Sequence, residues 1–327
     1  MPPTTGPSPS EPSSPTPSPL RSLLTLPASS HGRQPTFERA SAILDRVRAA
    51  VGKRTETPEL PFGILPLDEL THGLWRGKLT VVAGRSSQGK TSLALQTAWN
   101  LADAGKTVVF ITLEDDREEV IERLLCQVGR VDNQALRRGE LPPEDPILRQ
   151  AFDKVKILVL DNFGYTNAEI EYVVRALVPK PDVVVVDYAQ MVDDENAESE
   201  YRAISVFIRA LKIFAEANEI AVLLCSQINR QGAMEGRPSL HHLARCGRLE
   251  EVANTVLLLY WPYGTKDSSF DGAMAENTCP PDYFELEVAK NKTGPKGTVR
   301  LQFTGKHYLF APWSPPQEAT HGTDLDL

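Results

Sequence analysis

Apolar residues in this chain follow two spacings. Unbroken apolar-rich runs occur at residues 79–83 (LTVVA), 107–112 (TVVFIT), 157–160 (ILVL), 183–186 (VVVV), 220–225 (IAVLLC) and 255–260 (TVLLLY). Short runs rich in β-branched residues predict strands buried on both faces. Between them apolar residues recur every three or four positions, the spacing of helices. From Thr36 onward, Ala40, Ile43, Leu44, Val47 and Val51 share one helical face, Arg46, Arg48 and Lys53 cover the other side, and Gly52 stops the pattern. Further helices are expected near residues 117–129, 147–154 and 167–177, the last with Ile170, Val173, Val174 and Leu177 on one face. A long helix beyond residue 200 has Ile204, Phe207, Ile208, Leu211 and Phe214 as its buried stripe. Residues 284–290, 297–303 and 307–310 read as further strands. Strands apolar on both faces, alternating with helices, predict an α/β fold: a mainly parallel, helix-covered sheet with an antiparallel β extension near the C-terminus. A ligand belongs at the C-terminal edge of the parallel strands.

The pattern also divides the chain. Residues 1–36 are rich in Pro, Ser and Thr, cannot bury a core and are expected to be a disordered tail. Such a tail either only solvates the protein or docks a protein partner. Residues 37–57 hold the first amphipathic helix and a Pro-containing connection. Residues 58–312 form the main domain, and residues 313–327 a disordered end.

Composition narrows the function classes. Of 327 residues, 41% are hydrophobic, enough for a substantial core, and the net charge is −8. The chain carries no broad basic field of the kind that coats DNA indiscriminately, although a local basic channel remains open. Four cysteines (Cys126, Cys225, Cys246 and Cys279) show no metal-ligand spacing and read as reduced thiols. No apolar run is long enough for a membrane span, and no basic-then-apolar leader opens the chain, so a cytoplasmic protein is expected.

The chemistry concentrates after the first strand. Residues 84–92 read Gly84, Arg85, Ser86, Ser87, Gln88, Gly89, Lys90, Thr91, Ser92, which contains the Gly-x-x-x-x-Gly-Lys-Thr spacing of a P-loop. Glycines let backbone amides curl around phosphates, Lys90 can reach the β- and γ-phosphates, and the Thr91 hydroxyl can hold Mg²⁺. The helix that follows points its N-terminus at the anion. The bound species would be ATP with Mg²⁺. The run at 183–186 ends in Asp187, the arrangement that brings a carboxylate to the metal in P-loop enzymes. The plainer alternative is an Asp that caps the next turn.

Six segments in a fixed order, FGILPLDELTHGL, GRSSQGKTS, FITLED, VVVVDYAQM, LLCSQINR and AKNKTGPKG, resemble the C-terminal ATPase domain of the DnaB-type replicative helicases, within the RecA superfamily. The resemblance covers about residues 37–312. It implies a RecA-like P-loop NTPase fold. It also implies a ring, usually a hexamer of identical subunits, with ATP sites between protomers and movement along single-stranded DNA during DNA replication. The helix at residues 37–52 matches the linker helix that docks on the next protomer. Lys90 and Thr91 match the phosphate and Mg²⁺ ligands, Asp187 the Walker B acid, Glu114 the carboxylate that activates water, and Gln227 the polar sensor between γ-phosphate and DNA. Lys290 and Lys292 match the positions that reach into the neighbouring subunit's ATP. At the end of its strand, one strand from the P-loop, Glu114 is placed to polarise water; it could equally be an acid favoured by a helix N-terminus. Gln227 could be a satisfied turn residue.

The chain departs from that pattern in places. The second trans cation, usually Arg, is Lys292, and an ammonium cannot fork across phosphate oxygens as a guanidinium does. Either turnover is slow or Lys290 carries the role alone. The loop after Asp187 is acidic at Asp193, Asp194, Glu195 and Glu198 where the family's is basic or glycine-rich, and Ala244 stands at a usual Arg position beside Arg245. No counterpart of the family's N-terminal helical domain is found, so primase docking is not carried over. Candidate DNA contacts are Arg202, Arg230 and Arg237, which a ring would multiply into a basic channel. An ATP-driven helicase is the first expectation. The alternative is a RecA-family ATPase that regulates or remodels DNA or a protein partner without unwinding.

Overall fold

The computed structural model describes residues 38–52, 58–140, 145–161, 172, 174–187, 200–228, 237–265 and 280–315. The chain divides into two units, Met1–Thr55 and Glu56–Leu327. In the first, helix α1 (Ala40–Val51) follows the expected periodicity and ends where Gly52 N–H donates to Arg48 O at 2.9 Å. Its apolar stripe is open: Ile43, Leu44, Val47 and Val51 are all exposed. No described helix is long and apolar enough to cross a membrane.

The second unit is built on a nine-stranded sheet. Its strands are β1 (Leu79–Gly84), β2 (Thr107–Thr112), β3 (Lys156–Asp161), β4 (Val183–Asp187), β5 (Ala221–Gln227), β6 (Thr255–Tyr260), β7 (Tyr283–Asn291), β8 (Gly297–Thr304) and β9 (Leu309–Pro312). The order is β3-β2-β4-β5-β1-β6-β7-β8-β9, with β1 to β6 mutually parallel and β7, β8 and β9 added antiparallel. This agrees with the sequence expectation of a mainly parallel sheet with an antiparallel extension. One detail is corrected. Glu114 follows β2, and β4 and β5 intervene between β2 and the P-loop strand β1, so Glu114 is not one strand away. Chain order does not reveal which crossovers insert later strands between earlier ones.

The continuous apolar runs feed two cores, one on each face. Successive residues of β1, β4 and β5 alternate: Val82, Val185 and Leu223 enter one core, and Val81, Val186 and Leu224 the other. The first core is closed by helix α2 (Leu65–Thr71), helix α3 (Lys90–Asp103) and helix α4 (Arg117–Gly129). After the short helix α5 (Asn133–Arg137) and helix α6 (Pro146–Lys154), helix α7 (Glu200–Asn218) covers the second core with Ile204, Phe207, Ile208, Leu211 and Phe214, as its spacing predicts. A 3₁₀ segment (Leu240–Cys246) runs into helix α8 (Gly247–Val252), and helix α9 (Pro262–Thr265) follows β6. Most of the helix expected at 167–177 lies outside the described residues.

Four short helices, α2, α5, α8 and α9, were not anticipated, because fewer than two turns show no period. Helix α2 is fixed by Asp68, a buried carboxylate that accepts from Phe62 N–H at 2.7 Å and Gly63 N–H at 2.9 Å. Burial raises the Asp68 pKa, and the Phe62, Gly63 and Ile64 amides act against that rise. The last expected strand also begins later. Gly305–His307 is a 3₁₀ turn, Tyr308 has φ +53°, and β9 starts at Leu309.

Candidate nucleotide-binding site

The P-loop connects the end of β1 to the start of α3. Gly89 has φ +89°, and a Cβ there would meet Phe310 Cζ at 2.9 Å and carry L-residue strain as well. At Gly84, whose φ is not left-handed, a Cβ would meet the Leu259 carbonyl oxygen at 2.9 Å. The two glycines serve different ends: one shapes the loop, the other admits a neighbouring strand. Ser87 also lies in the left-handed region at φ +61°. The loop braces itself, since Gln88 Oε1 accepts from Arg85 N–H at 3.2 Å and Lys90 Nζ donates to Arg85 O at 2.8 Å.

Register sets the rest of the site. Gly84 pairs with Gln227, so the P-loop and the end of β5 leave the sheet side by side. Thr112 pairs with Asp187, and Leu113 N–H donates to Asp187 O at 2.7 Å, which carries Glu114 out beside the end of β4. A cleft of about 340 Å³ opens at this edge, lined by P-loop residues Ser86, Ser87, Gly89, Lys90, Thr91 and Ser92 and by Glu114, Asp187 and Gln227. The separately expected carboxylates and Gln227 thus meet the P-loop in one place. Arg85 and Gln88 shape the loop from outside the lining.

Charge within the cleft is coupled. Lys90 is 6% exposed; burial lowers its pKa, and the acidic neighbours Asp187 and Glu114 act against the fall. Burial raises the Asp187 pKa, while hydrogen bonds from the Thr91 hydroxyl and the Cys225 thiol and the nearby Lys90 oppose the rise. Glu114 is raised by partial burial and by the Asp115 and Asp187 charges, against Lys90 and Arg123. Asp187 Oδ1 is buried with no hydrogen-bond partner among the described residues. An orphaned carboxylate oxygen beside the Thr91 hydroxyl suits a hard cation that takes one or two protein oxygens and completes its shell with phosphates. Among the described residues, no group of three or more His, Cys, Asp or Glu gathers to hold a metal by itself.

The sequence reading missed five lining residues: Asp115, Arg123, Arg137, Phe303 and Tyr308. Arg123 lies on α4, the helix that follows Glu114, and pairs with Asp115 at 2.9 Å; once Glu114 is assigned, helical geometry brings Arg123 back toward it. Phe303 and Tyr308 come from β8 and the turn after it, and no local signal links them to the P-loop.

Lys290 and Lys292 lie elsewhere. Lys290 pairs with Val256 at the start of β6, at the sheet edge opposite the cleft. Its ammonium caps the end of α8 through the Glu250 and Glu251 carbonyls. Burial and the Lys292 charge lower its pKa. Lys292 is exposed just beyond β7. Arg237 is held by Glu285 in an ion pair at 2.5 Å and lies over the Tyr260 ring at 5.1 Å from its centroid. Arg202 falls on α7, but its side chain, like all of Arg230, lies outside the described residues.

The profile of the DnaB-like helicase C terminal domain matches residues 60–312. The chain belongs to this family. Against the replicative DNA helicase DnaB of Leifsonia xyli it is 30% identical over 291 residues, covering 86% of this chain and 62% of that protein. Against DnaB of Geobacillus stearothermophilus it is 30% identical over 278 residues, covering 81% and 59%. The chain therefore spans about three fifths of the length of these relatives. A solved DnaB-like replicative helicase, described with its interactions with primase, superposes with a TM-score of 0.74 at 26% identity, covering 84% of this chain and 69% of that one. A second solved structure, described as an ATPase domain, gives 0.74 at 26% identity, with 85% and 100% coverage. The RecA-like fold inferred from the motifs is thus that of DnaB-type ATPase domains.

Proposed function

We propose that this DnaB-family chain is an ATP-hydrolysing helicase that moves on single-stranded DNA during replication, as a ring with ATP sites between identical subunits. The observation that carries the reading is the single cleft in which the P-loop, Asp187, Glu114 and Gln227 converge, while Lys290 and Lys292 stand at the opposite sheet edge. In this reading residues 84–92 wrap the triphosphate with backbone amides, and Lys90 leaves the Arg85 carbonyl to meet phosphate oxygen. Thr91 and Asp187 would hold Mg²⁺, which would neutralise charge on the phosphates. Glu114 takes a proton from the attacking water, a role worth ~10²–10⁴ in rate. Gln227, at the end of β5, transmits the state of the site to the segment beyond it, where Arg230 lies. Lys292, with Lys290 tied to α8, is the cation offered to a neighbour's ATP. With Arg237 paired to Glu285, DNA contact falls first to Arg202 and Arg230. The place of work is the cytoplasm, and residues 1–36 are the segment open to a protein partner.

The test is ATP turnover with and without single-stranded DNA, on protein whose mass with ATP is known, alongside unwinding of a forked duplex. DNA-stimulated turnover with strand separation is expected, weakening with salt as phosphate contacts are screened. Absence of both from the assembled protein overturns the reading.

A further inference from the structure

Two lysines stand two residues apart at the end of β7, yet their ammonium groups meet different surroundings. Lys290 folds back onto the Glu250 and Glu251 carbonyls at the end of α8. Lys292, the first residue past the strand, is exposed. What holds Lys292 is Asn254, which joins α8 to β6 and is 8% exposed. Its carbonyl oxygen accepts from Lys292 N–H at 3.0 Å, and its own N–H donates to Leu79 O at 2.8 Å. Its side-chain Oδ1 accepts from Leu79 N–H at 3.2 Å and from the Lys212 ammonium. The backbone of Lys292 is thereby clamped to the start of β1.

Lys212 is the informative member. It lies on α7, and its side chain is only 15% exposed. An ammonium so far out of water needs partners, and it has two, Asn254 Oδ1 and the Glu216 carboxylate at 3.0 Å. Burial lowers its pKa, Glu216 acts against the fall, and the nearby Lys78 and Lys292 charges add to it. Both features act on Lys292. With two donors already on it, Asn254 Oδ1 offers no place for the Lys292 ammonium to fold back as Lys290 does on α8. The fixed charge of Lys212 also repels that ammonium away from the protein.

We propose that Lys212 is a positioning residue for Lys292: held by Asn254 and Glu216, it fills the acceptor that Lys292 would otherwise take and drives the Lys292 ammonium outward, toward the cleft of a second copy of the chain. The proposal rests on Lys292 being the cation offered to a neighbour's ATP.

The experiment is a double-mutant cycle on the full chain with Lys212→Gln and Lys292→Ala. It reads kcat per site that binds a fluorescent ATP analogue, so chains that fail to fold drop out of the rate. Lys212→Gln keeps a donor for Asn254 and removes the charge. Alone it should lower kcat about threefold or more, within the range of couplings between neighbouring residues. In the Lys292→Ala background it should change nothing further. An equal loss in both backgrounds means that Lys212 serves the fold and not Lys292, and overturns the proposal. So does wild-type kcat in Lys212→Gln while Lys292→Ala is slow. If Lys292→Ala itself keeps wild-type kcat, the reading of Lys292 falls, and the positioning role with it. Amine acetylation without nucleotide, followed by mass spectrometry, reads the position directly. Lys292 should react faster than Lys290 in wild type, and that lead should shrink in Lys212→Gln. An unchanged lead overturns the proposal. A Lys292 no more reactive than Lys290 in the wild-type protein overturns it too, and that comparison needs no variant to fold.

Discussion

At Gly89 two independent constraints meet. Its φ of +89° costs an L-residue about 1–2 kcal/mol, and the Phe310 ring occupies the space a Cβ would need. Gly89→Ala should weaken binding of a fluorescent ATP analogue and lower the melting temperature. Adding Phe310→Leu should recover part of the melting temperature but not the affinity, because the backbone conformation that aims the amides is still strained. Full recovery of affinity would show that the ring alone was at fault. Glu114 makes a second residue-scale prediction. Partial burial and then the Asp115 and Asp187 charges raise its pKa, so the base becomes protonated at a higher pH than an ordinary carboxylate. The acid limb of kcat/KM, which reports the free enzyme, should lie above the usual value of 4.5. Asp115→Asn removes a neighbouring negative charge and should move the limb to lower pH, whereas Arg123→Ala should move it higher. Glu114→Gln should cut turnover ~10²–10⁴-fold with nucleotide affinity retained. Single residues of this kind were the most legible part of the site. The P-loop glycines, Lys90 and Asp187 stand out because each ends a strand or opens a helix, and Glu114 because it follows β2 within two residues, all in a recognisable order.

Elements were legible in proportion to their length. The six apolar runs all became parallel strands; five are buried on both faces and leave almost no polar position to disguise them, while β3, at the sheet edge, is partly exposed yet keeps an apolar run. Strand order was not legible, because the placement of β4 and β5 between β2 and β1 depends on long-range packing. Helices α2 and α5 were too short to show a period, and with α5 went Arg137. Charged positions that lock elements together were likewise invisible. Arg76 pairs with Glu59 at 2.8 Å and with Asp182 at 2.5 Å, and Asp182 Oδ2 accepts from Thr107 N–H at 2.8 Å. This joins the turn before β1 to the starts of β2 and β4. Burial alone would raise the Asp182 pKa, but the bonds from Arg76 and Thr107 outweigh it, and the net direction is down. A depressed carboxylate pKa stabilises the fold above the unfolded value and loses that stabilisation as pH falls toward the folded one. Asp182→Asn should therefore cost about 1.5–3 kcal/mol at neutral pH, the range for hydrogen bonds to a charged group. In chemical denaturation, the gap from wild type should narrow once pH drops below the ordinary value of 3.8. A gap independent of pH would mean that the carboxylate is held by shape rather than by charge.

At the scale of the whole molecule, the sheet separates the parts of the proposed site. Thr80 of β1 pairs with Thr255 of β6, and Thr255 pairs with Asn291 of β7, so Lys290 and Lys292 stand level with the start of β1. The P-loop begins at the other end of that strand, at Gly84. Four residues of strand at roughly 3.3 Å each separate the two edges by about 13 Å, before the loop itself is counted. Lys290 is further committed to the carbonyls that end α8. A cation from this edge can serve a nucleotide only if another copy of the chain presents its cleft to it, so the proposed ring and the proposed catalysis stand or fall together. Mixing separates them. Lys90→Ala should abolish nucleotide binding in its own cleft, and Lys292→Ala should slow the cleft of a neighbour, by up to ~10³–10⁵ if the ammonium does the work of an inserted cation. Subunits of the two variants, each nearly inactive alone, should regain turnover when assembled together. At some interfaces a Lys292→Ala subunit then supplies an intact P-loop and a Lys90→Ala subunit supplies an intact Lys292. Turnover should rise and fall with the mixing ratio, peaking at comparable amounts of the two. If the mixture stays as inactive as its components while native mass measurements show mixed assemblies, Lys292 does not act across an interface. If Lys292→Ala alone keeps wild-type turnover, the lysine at this position does not carry the role, and Lys290 would have to leave α8 to reach a neighbour.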